Sequence, residues 1–80
     1  MKIKLIAYGI AKDILQTNSM DLEVSESASI LDVKLFLATQ FPEFEKLQSL
    51  KLAVNEDYQS DDFTLQPNDE VVIIPPVSGG

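Results

Sequence analysis

Every second residue at the start of the chain is apolar, from Ile3 to Ala7. Lys2, Lys4, Ile6 and Tyr8 fall on one side and Ile3, Leu5 and Ala7 on the other, the two-residue period of a strand with one wholly apolar face. Gly9 breaks the pattern, and Ile10 to Leu15 reads as one short helical turn before the polar punctuation Gln16-Thr17-Asn18-Ser19. Alternation resumes at Met20 to Val24, with Met20, Leu22 and Val24 on the inward side of a second strand. The two strands form a hairpin with a long connection.

The period then changes. Ile30, Val33, Leu37 and Phe41 recur at helical spacing, after the polar lead-in Ser25-Glu26-Ser27-Ala28-Ser29. Ser29 suits the N-cap, Asp32 in the first turn offsets the positive helix end, and Pro42 stops the helix by pushing Phe41 toward extended geometry. Leu31, Leu35 and Phe36 are expected to widen the apolar stripe. After an acidic connection, Lys51 to Asn55 reads as a third strand, and Glu56 to Ser60 as a turn leading to a short fourth. Asp61 to Asp69 contains a Pro67-Asn68-Asp69 turn and two residues expected to be buried, Phe63 and Leu65. Glu70-Val71-Val72-Ile73-Ile74 is apolar on both sides, as suits a central strand, and Pro75-Pro76 ends it. Strand, strand, helix, strand, short strand, strand is the β-grasp order of ubiquitin. The expected class is α+β: a single ubiquitin-like domain over residues 1–75, a mixed sheet with one main helix packed on one face, and a flexible Gly-Gly tail over 76–80.

Composition narrows the chemistry. A chain of 80 residues has room for one small core, and with no Cys and no His it has neither a disulfide nor a His/Cys metal staple. Thirteen Asp and Glu against six basic residues give a net charge of −7, which repels phosphate backbones and anionic lipid headgroups, so nucleic acid and membrane partners are not expected. The N-terminal segment lacks the apolar block and cleavage site of a leader, and a cytoplasmic location is expected. Without His or Cys the usual nucleophile and base pairs cannot be assembled. Ser25, Ser27 and Ser29 therefore read as helix-entry residues. Glu56-Asp57 and Asp61-Asp62 lack the ligand spacing and central glycine of a calcium loop and read as solvated acidic turns, so no metal site is expected. The glycines, Gly9, Gly79 and Gly80, make no phosphate loop, and no cofactor is expected to be bound by the chain itself.

The candidate chemistry is at the end of the chain, Ile74-Pro75-Pro76-Val77-Ser78-Gly79-Gly80. Two prolines offer no donor for further pairing and favour an extended path. From Pro76 to Gly80 such a tail reaches up to roughly 16 Å, at about 3.3 Å per residue, enough to enter a deep pocket on another protein. The last two residues have no side chains and can pass a constriction that a Cβ would block. A terminal carboxylate is a poor electrophile, but transfer of AMP to it from ATP gives a mixed anhydride, and replacement of the AMP by sulfur gives a thiocarboxylate. A frayed end is the bland alternative. A tail that grows straight out of a β-branched strand through two prolines argues against it.

Asn68-Asp69-Glu70-Val71-Val72-Ile73-Ile74-Pro75-Pro76-Val77-Ser78-Gly79-Gly80 closely resembles the C-terminal motif of the small, sulfur-carrier subunits of molybdopterin synthase, the MoaD family, and Ala53-Val54-Asn55 resembles that family's third strand. The resemblance covers the chain in length and element order, with its specificity concentrated in those final residues. It implies a subunit that is not catalytic alone and acts with a large subunit, by family pattern as a heterotetramer of two small and two large chains. It implies an ATP-dependent activating enzyme that adenylates Gly80, with Pro76, Val77, Ser78 and Gly79 entering the partner's active site. The thiocarboxylate at Gly80 would give its sulfur to a pterin precursor in molybdenum cofactor biosynthesis.

The strand pattern also predicts a docking face. In a β-grasp sheet the first and last strands run parallel side by side, which puts Ile6, Tyr8, Val72 and Ile74 in an apolar patch on the side away from the helix, with Tyr58 at its border. Loops covering these residues would instead make them a second minor core. Tyr8 and Tyr58 match family positions that contact the large subunit, although other bulky apolar residues often stand there in the family. Three other readings remain open at this point. A thiamine-type sulfur carrier would use the same terminus, but such chains are usually shorter and lack the double proline. A ubiquitin-like modifier would join Gly80 to lysines, and a β-grasp interaction domain would use no terminal chemistry.

Overall fold

A computed structural model describes residues 1–46 and 50–74. Its elements are β1 (Lys2–Ala7), α1 (Gly9–Leu15), β2 (Ser19–Glu23), α2 (Ile30–Gln40), a 3-10 turn (Pro42–Lys46), β3 (Lys51–Val54), β4 (Asp57–Tyr58) and β5 (Glu70–Ile74). The strands form one sheet in the order β2-β1-β5-β3-β4. β1 pairs antiparallel with β2 and parallel with β5, while β3 pairs antiparallel with β5 and β4. This is the β-grasp topology, with the doubly apolar β5 at the centre as its composition required.

One side of the sheet makes the core. Ala7, Ile73 and Leu52 are cross-strand neighbours, as are Leu5, Val71 and Val54, and all six are fully or almost fully buried. Ile30, Val33 and Leu37 of α2 close over them. The helix begins as its sequence dictates. The Ser29 backbone N–H donates to Asp32 Oδ2 at 2.8 Å and the Asp32 N–H donates to Ser29 Oγ at 3.3 Å, a reciprocal capping box. At the other end the Phe41 N–H donates to Leu37 O, and the rings of Phe41 and Phe44 meet edge to face at 6.2 Å.

Several expectations are corrected. Leu31 and Leu35 do not widen the stripe and are exposed, and only Phe36 packs against the core. At about 100° per residue, Leu35 lies on the opposite side of the helix from Ile30, Val33 and Leu37. Residues 9–15 form a seven-residue helix and not a single turn, with Gln16 at φ 62° closing it in left-handed conformation. The acidic connection contains the 3-10 turn, whose Phe44 is buried. β4 falls on Asp57–Tyr58, inside the segment read as a turn, and Asn55 lies beyond β3 at φ 49°. Residues 61–65 strap the start of α2: Ile30 N donates to Phe63 O, Leu31 N to Asp61 O and Leu65 N to Ala28 O. Leu65 is buried there, whereas Phe63 is half-buried against the core. Among the described residues no helix is long and apolar enough to cross a membrane.

Candidate functional site

The side of the sheet away from α2 carries its own apolar row. Ile6 is the register partner of Val72, Val72 of Ala53, and Ala53 of Tyr58, so four strands contribute one residue each to a single line across the sheet. Ile74 follows two residues beyond Val72, opposite Lys51. Tyr8 stands just past β1, level with that end of β5, since Ala7 pairs with Ile73. The predicted patch residues are thus brought together, and none of the described residues overlays them as a second core. Tyr8 is 61% and Tyr58 65% exposed, and Ile6, Val72 and Ile74 are half-buried.

Local sequence explains how each is held. Tyr8 is the N-cap residue of α1, extended at φ −129°, and its carbonyl accepts from the N–H groups of Ala11 and Lys12. Gly9 follows at φ 55°, a left-handed turn that glycine allows without strain, and sends the chain into α1. Tyr58 is placed by a two-residue turn in which both Asn55 and Glu56 have positive φ, the pattern that returns a twisted hairpin. The Lys51 ammonium lies 5.7 Å from the centre of the Tyr58 ring, within cation–π range.

Two contributors were missed from the sequence. Ala53 was read only as part of a strand, yet it lies mid-row and is buried between Val72 and Tyr58, leaving a low point between bulkier neighbours. Lys51 adds a cation at the apolar end. Period-two alternation would have found both, had β3 been carried through onto this side. The other end of the same side is charged in alternating sign: Lys2 faces Glu23, and Lys4 stands between Asp21 and Glu70. Opposite charges in register across strands are mutually favourable, and here two lysines face three carboxylates.

β5 runs toward the apolar end, and its last residue, Ile74, borders the patch. The predicted tail residues Pro76, Val77, Ser78, Gly79 and Gly80 lie outside the described residues. Among the described residues no group of three or more His, Cys, Asp or Glu side chains is disposed to hold a metal ion. The buried carboxylate of Asp69 is committed to internal hydrogen bonds, from Asn55 Nδ2 at 3.0 Å and Gln66 N at 2.7 Å.

Fold and surface together define a ubiquitin-like β-grasp protein with one open apolar sheet face. The ThiS family model matches residues 8–80, and the chain belongs to that family. The molybdopterin synthase sulfur carrier subunit of Arabidopsis thaliana is 31% identical over 81 residues, spanning 100% of this chain and 84% of that protein. The protein of the same name from Dictyostelium discoideum is 34% identical over 84 residues, spanning 99% and 96%. Solved structures share the fold at lower identity. A Pyrococcus furiosus protein described as molybdopterin converting factor, subunit 1, superposes with a TM-score of 0.87 at 22% identity, covering 96% of this chain and 99% of that one. For a Caldiarchaeum subterraneum ubiquitin the values are 0.66, 22%, 100% and 98%. For the Helicobacter pylori complex of subunits 1 and 2 of molybdopterin-converting factor they are 0.70, 18%, 100% and 100%.

Proposed function

We propose that this chain is the sulfur carrier of a molybdopterin synthase, working in the cytoplasm, and that its reactive group is the Gly80 carboxylate. An ATP-dependent activating enzyme transfers AMP to that carboxylate and releases pyrophosphate. Sulfur at the sulfide level (HS⁻) then attacks the acyl carbon and expels AMP, leaving a thiocarboxylate whose sulfur the carrier delivers to a pterin precursor in the active site of a large subunit. The carrier itself binds no cofactor; ATP belongs to the activating enzyme. The observation that carries the reading is the similarity, over the whole chain, to two molybdopterin synthase sulfur carrier subunits, with a family match that runs through Gly80.

The geometry supports the division of labour. Residues 1–75 serve as the handle and 76–80 as the arm. Ile6, Tyr8, Val72, Ile74 and Tyr58 form the docking face beside the end of β5 from which the arm departs. Docking there leaves Pro76, Val77, Ser78 and Gly79 free to thread toward the partner's catalytic groups. That one complex pairs subunits 1 and 2 of molybdopterin-converting factor on this fold supports a large-subunit partner, and two carriers on two large subunits is the assembly we propose.

Intact mass after co-expression with the activating enzyme and a sulfur-transfer enzyme tests the terminal chemistry. The carrier should gain the mass difference of one sulfur for one oxygen, and a variant lacking Gly80 should not while keeping its fold. Normal loading of the truncated variant would refute the reading. Covalent ladders on target proteins would favour a protein modifier instead.

A further inference from the structure

β4 is only two residues long and, among the described residues, pairs with β3 alone, through Ala53 with Tyr58 and Val54 with Asp57. A ribbon so short does not hold an exposed tyrosine in a fixed place by itself. What ties it down is a hydrogen-bond clamp at the turn. The Asn55 N–H donates to Glu70 O at 2.9 Å, and the Glu70 N–H donates to Asn55 Oδ1 at 3.2 Å. One residue of the turn therefore satisfies both backbone groups of the first residue of β5. Asn55 Nδ2 also donates to Asp69 Oδ1 at 3.0 Å, and Asp69 is itself fixed, since its Oδ2 accepts from Gln66 N and its carbonyl from Lys4 N. The clamp extends the β3–β5 ladder one step past Val54 and Val71 by one backbone bond and one bond to a side chain.

We propose that Asn55, held by Asp69, is a positioning residue for partner docking: it locks the β3–β4 turn onto β5 and so presents Tyr58 at the end of the Ile6–Val72–Ala53 row. This rests on the reading that Tyr58 meets the large subunit. Asparagine suits the role twice over. It accepts a left-handed backbone more readily than most residues, which φ 49° demands, and its amide supplies a donor and an acceptor at once. Asp69 needs the donor and Glu70 needs the acceptor, so no other residue of similar size meets both.

Asn55→Gly separates the two contributions, because glycine keeps the turn's backbone and deletes the amide. Two readouts are required. In hydrogen exchange, the Gln59 amide, which donates to Leu52 O at the far side of β4, should exchange up to about thirtyfold faster, the weight of the two side-chain hydrogen bonds lost, while the Ile73 amide in the sheet centre is unchanged. Affinity of the same variant for the large subunit should fall by a similar factor. In a Tyr58→Ala background the Asn55→Gly change should cost no further affinity, because the residue acts only through Tyr58. Asn55→Asp keeps the acceptor but sets a carboxylate against Asp69 and should behave like Asn55→Gly. Unaltered exchange and affinity in Asn55→Gly, or an equal loss with and without Tyr58, would overturn the proposal. Parent-like binding by Tyr58→Ala alone would overturn the docking reading and the proposal with it, and that outcome is separable because it appears without any change at Asn55.

Discussion

Val71 and Val72 are the same residue type, adjacent in the same strand, and they do opposite work. Val71 faces α2 and is fully buried, whereas Val72 faces outward and is half-buried in a row that ends at Tyr58. Leu5 against Ile6 and Ile73 against Ile74 repeat this split, whereas in β3 both Leu52 and the small, outward-facing Ala53 are buried. The apolar content of a β-grasp sheet therefore exceeds what one helix can cover. The uncovered share lies toward the end where β5 finishes, and the other end carries Lys2 and Lys4 in register with Glu23, Asp21 and Glu70. An apolar patch with charge at one end is the expected form of a partner surface.

The sharpest way to break the comparison is to place a charge on each side in turn. Val71→Asp should abolish folding, since an unpaired buried carboxylate costs more than the roughly 2–7 kcal/mol of a buried neutral polar group and a domain of this kind has about 5–15 kcal/mol in total. Loss of the circular-dichroism melting transition would register it. Val72→Asp should stay folded and lose large-subunit affinity by at least about tenfold, the effect of a charge placed in a desolvated interface. A folded Val71→Asp or a tightly binding Val72→Asp would erase the distinction between the two sides.

Truncation gives the next effect down. Leu37→Ala should lower unfolding free energy by about 2–5 kcal/mol in denaturant titrations without changing the affinity of the folded fraction. Tyr8→Asp and Ile74→Asp should do the reverse, weakening the complex about tenfold in calorimetry with stability altered by less than about 1 kcal/mol. Leu35→Lys sharpens the comparison further. Leu35 is exposed yet belongs to neither side of the sheet, so stability should move by no more than about 0.5 kcal/mol and binding not at all.

The smallest expected effect concerns the turn that carries Tyr58. Glu56 holds φ 79°, which a side chain disfavours. Glu56→Gly should raise stability by up to about 1 kcal/mol, read as a higher denaturant midpoint.

Much of this was legible in the residues because period and burial agree. Ile3, Leu5 and Ala7 announced their side of β1 by alternation, Ser29 and Asp32 announced the start of α2, and the β-branched run from Val71 to Ile74 announced a central strand. The open face follows from the same alternation, given that β1 and β5 are parallel neighbours. What escaped notice had no local period. β4 is too short to alternate, the strap over 61–65 is made of backbone hydrogen bonds to α2, and Phe44 is buried from within a 3-10 turn. The stripe on α2 was drawn too wide because Leu31 and Leu35 are apolar, and apolar character alone does not say which way a helix faces. The role of Asn55 depends on Asp69 and Glu70, far along the chain, and a single sequence does not bring them together.

Transfer from the carrier is the step on which the functional account stands. Carrier bearing a thiocarboxylate at Gly80 should be mixed with the large subunit and the pterin precursor, and the mass of the carrier followed as product forms. The carrier should return to its carboxylate mass in step with dithiolene formation, and Val72→Asp should slow both together. Product formation with the carrier's sulfur still in place would contradict transfer from the carrier.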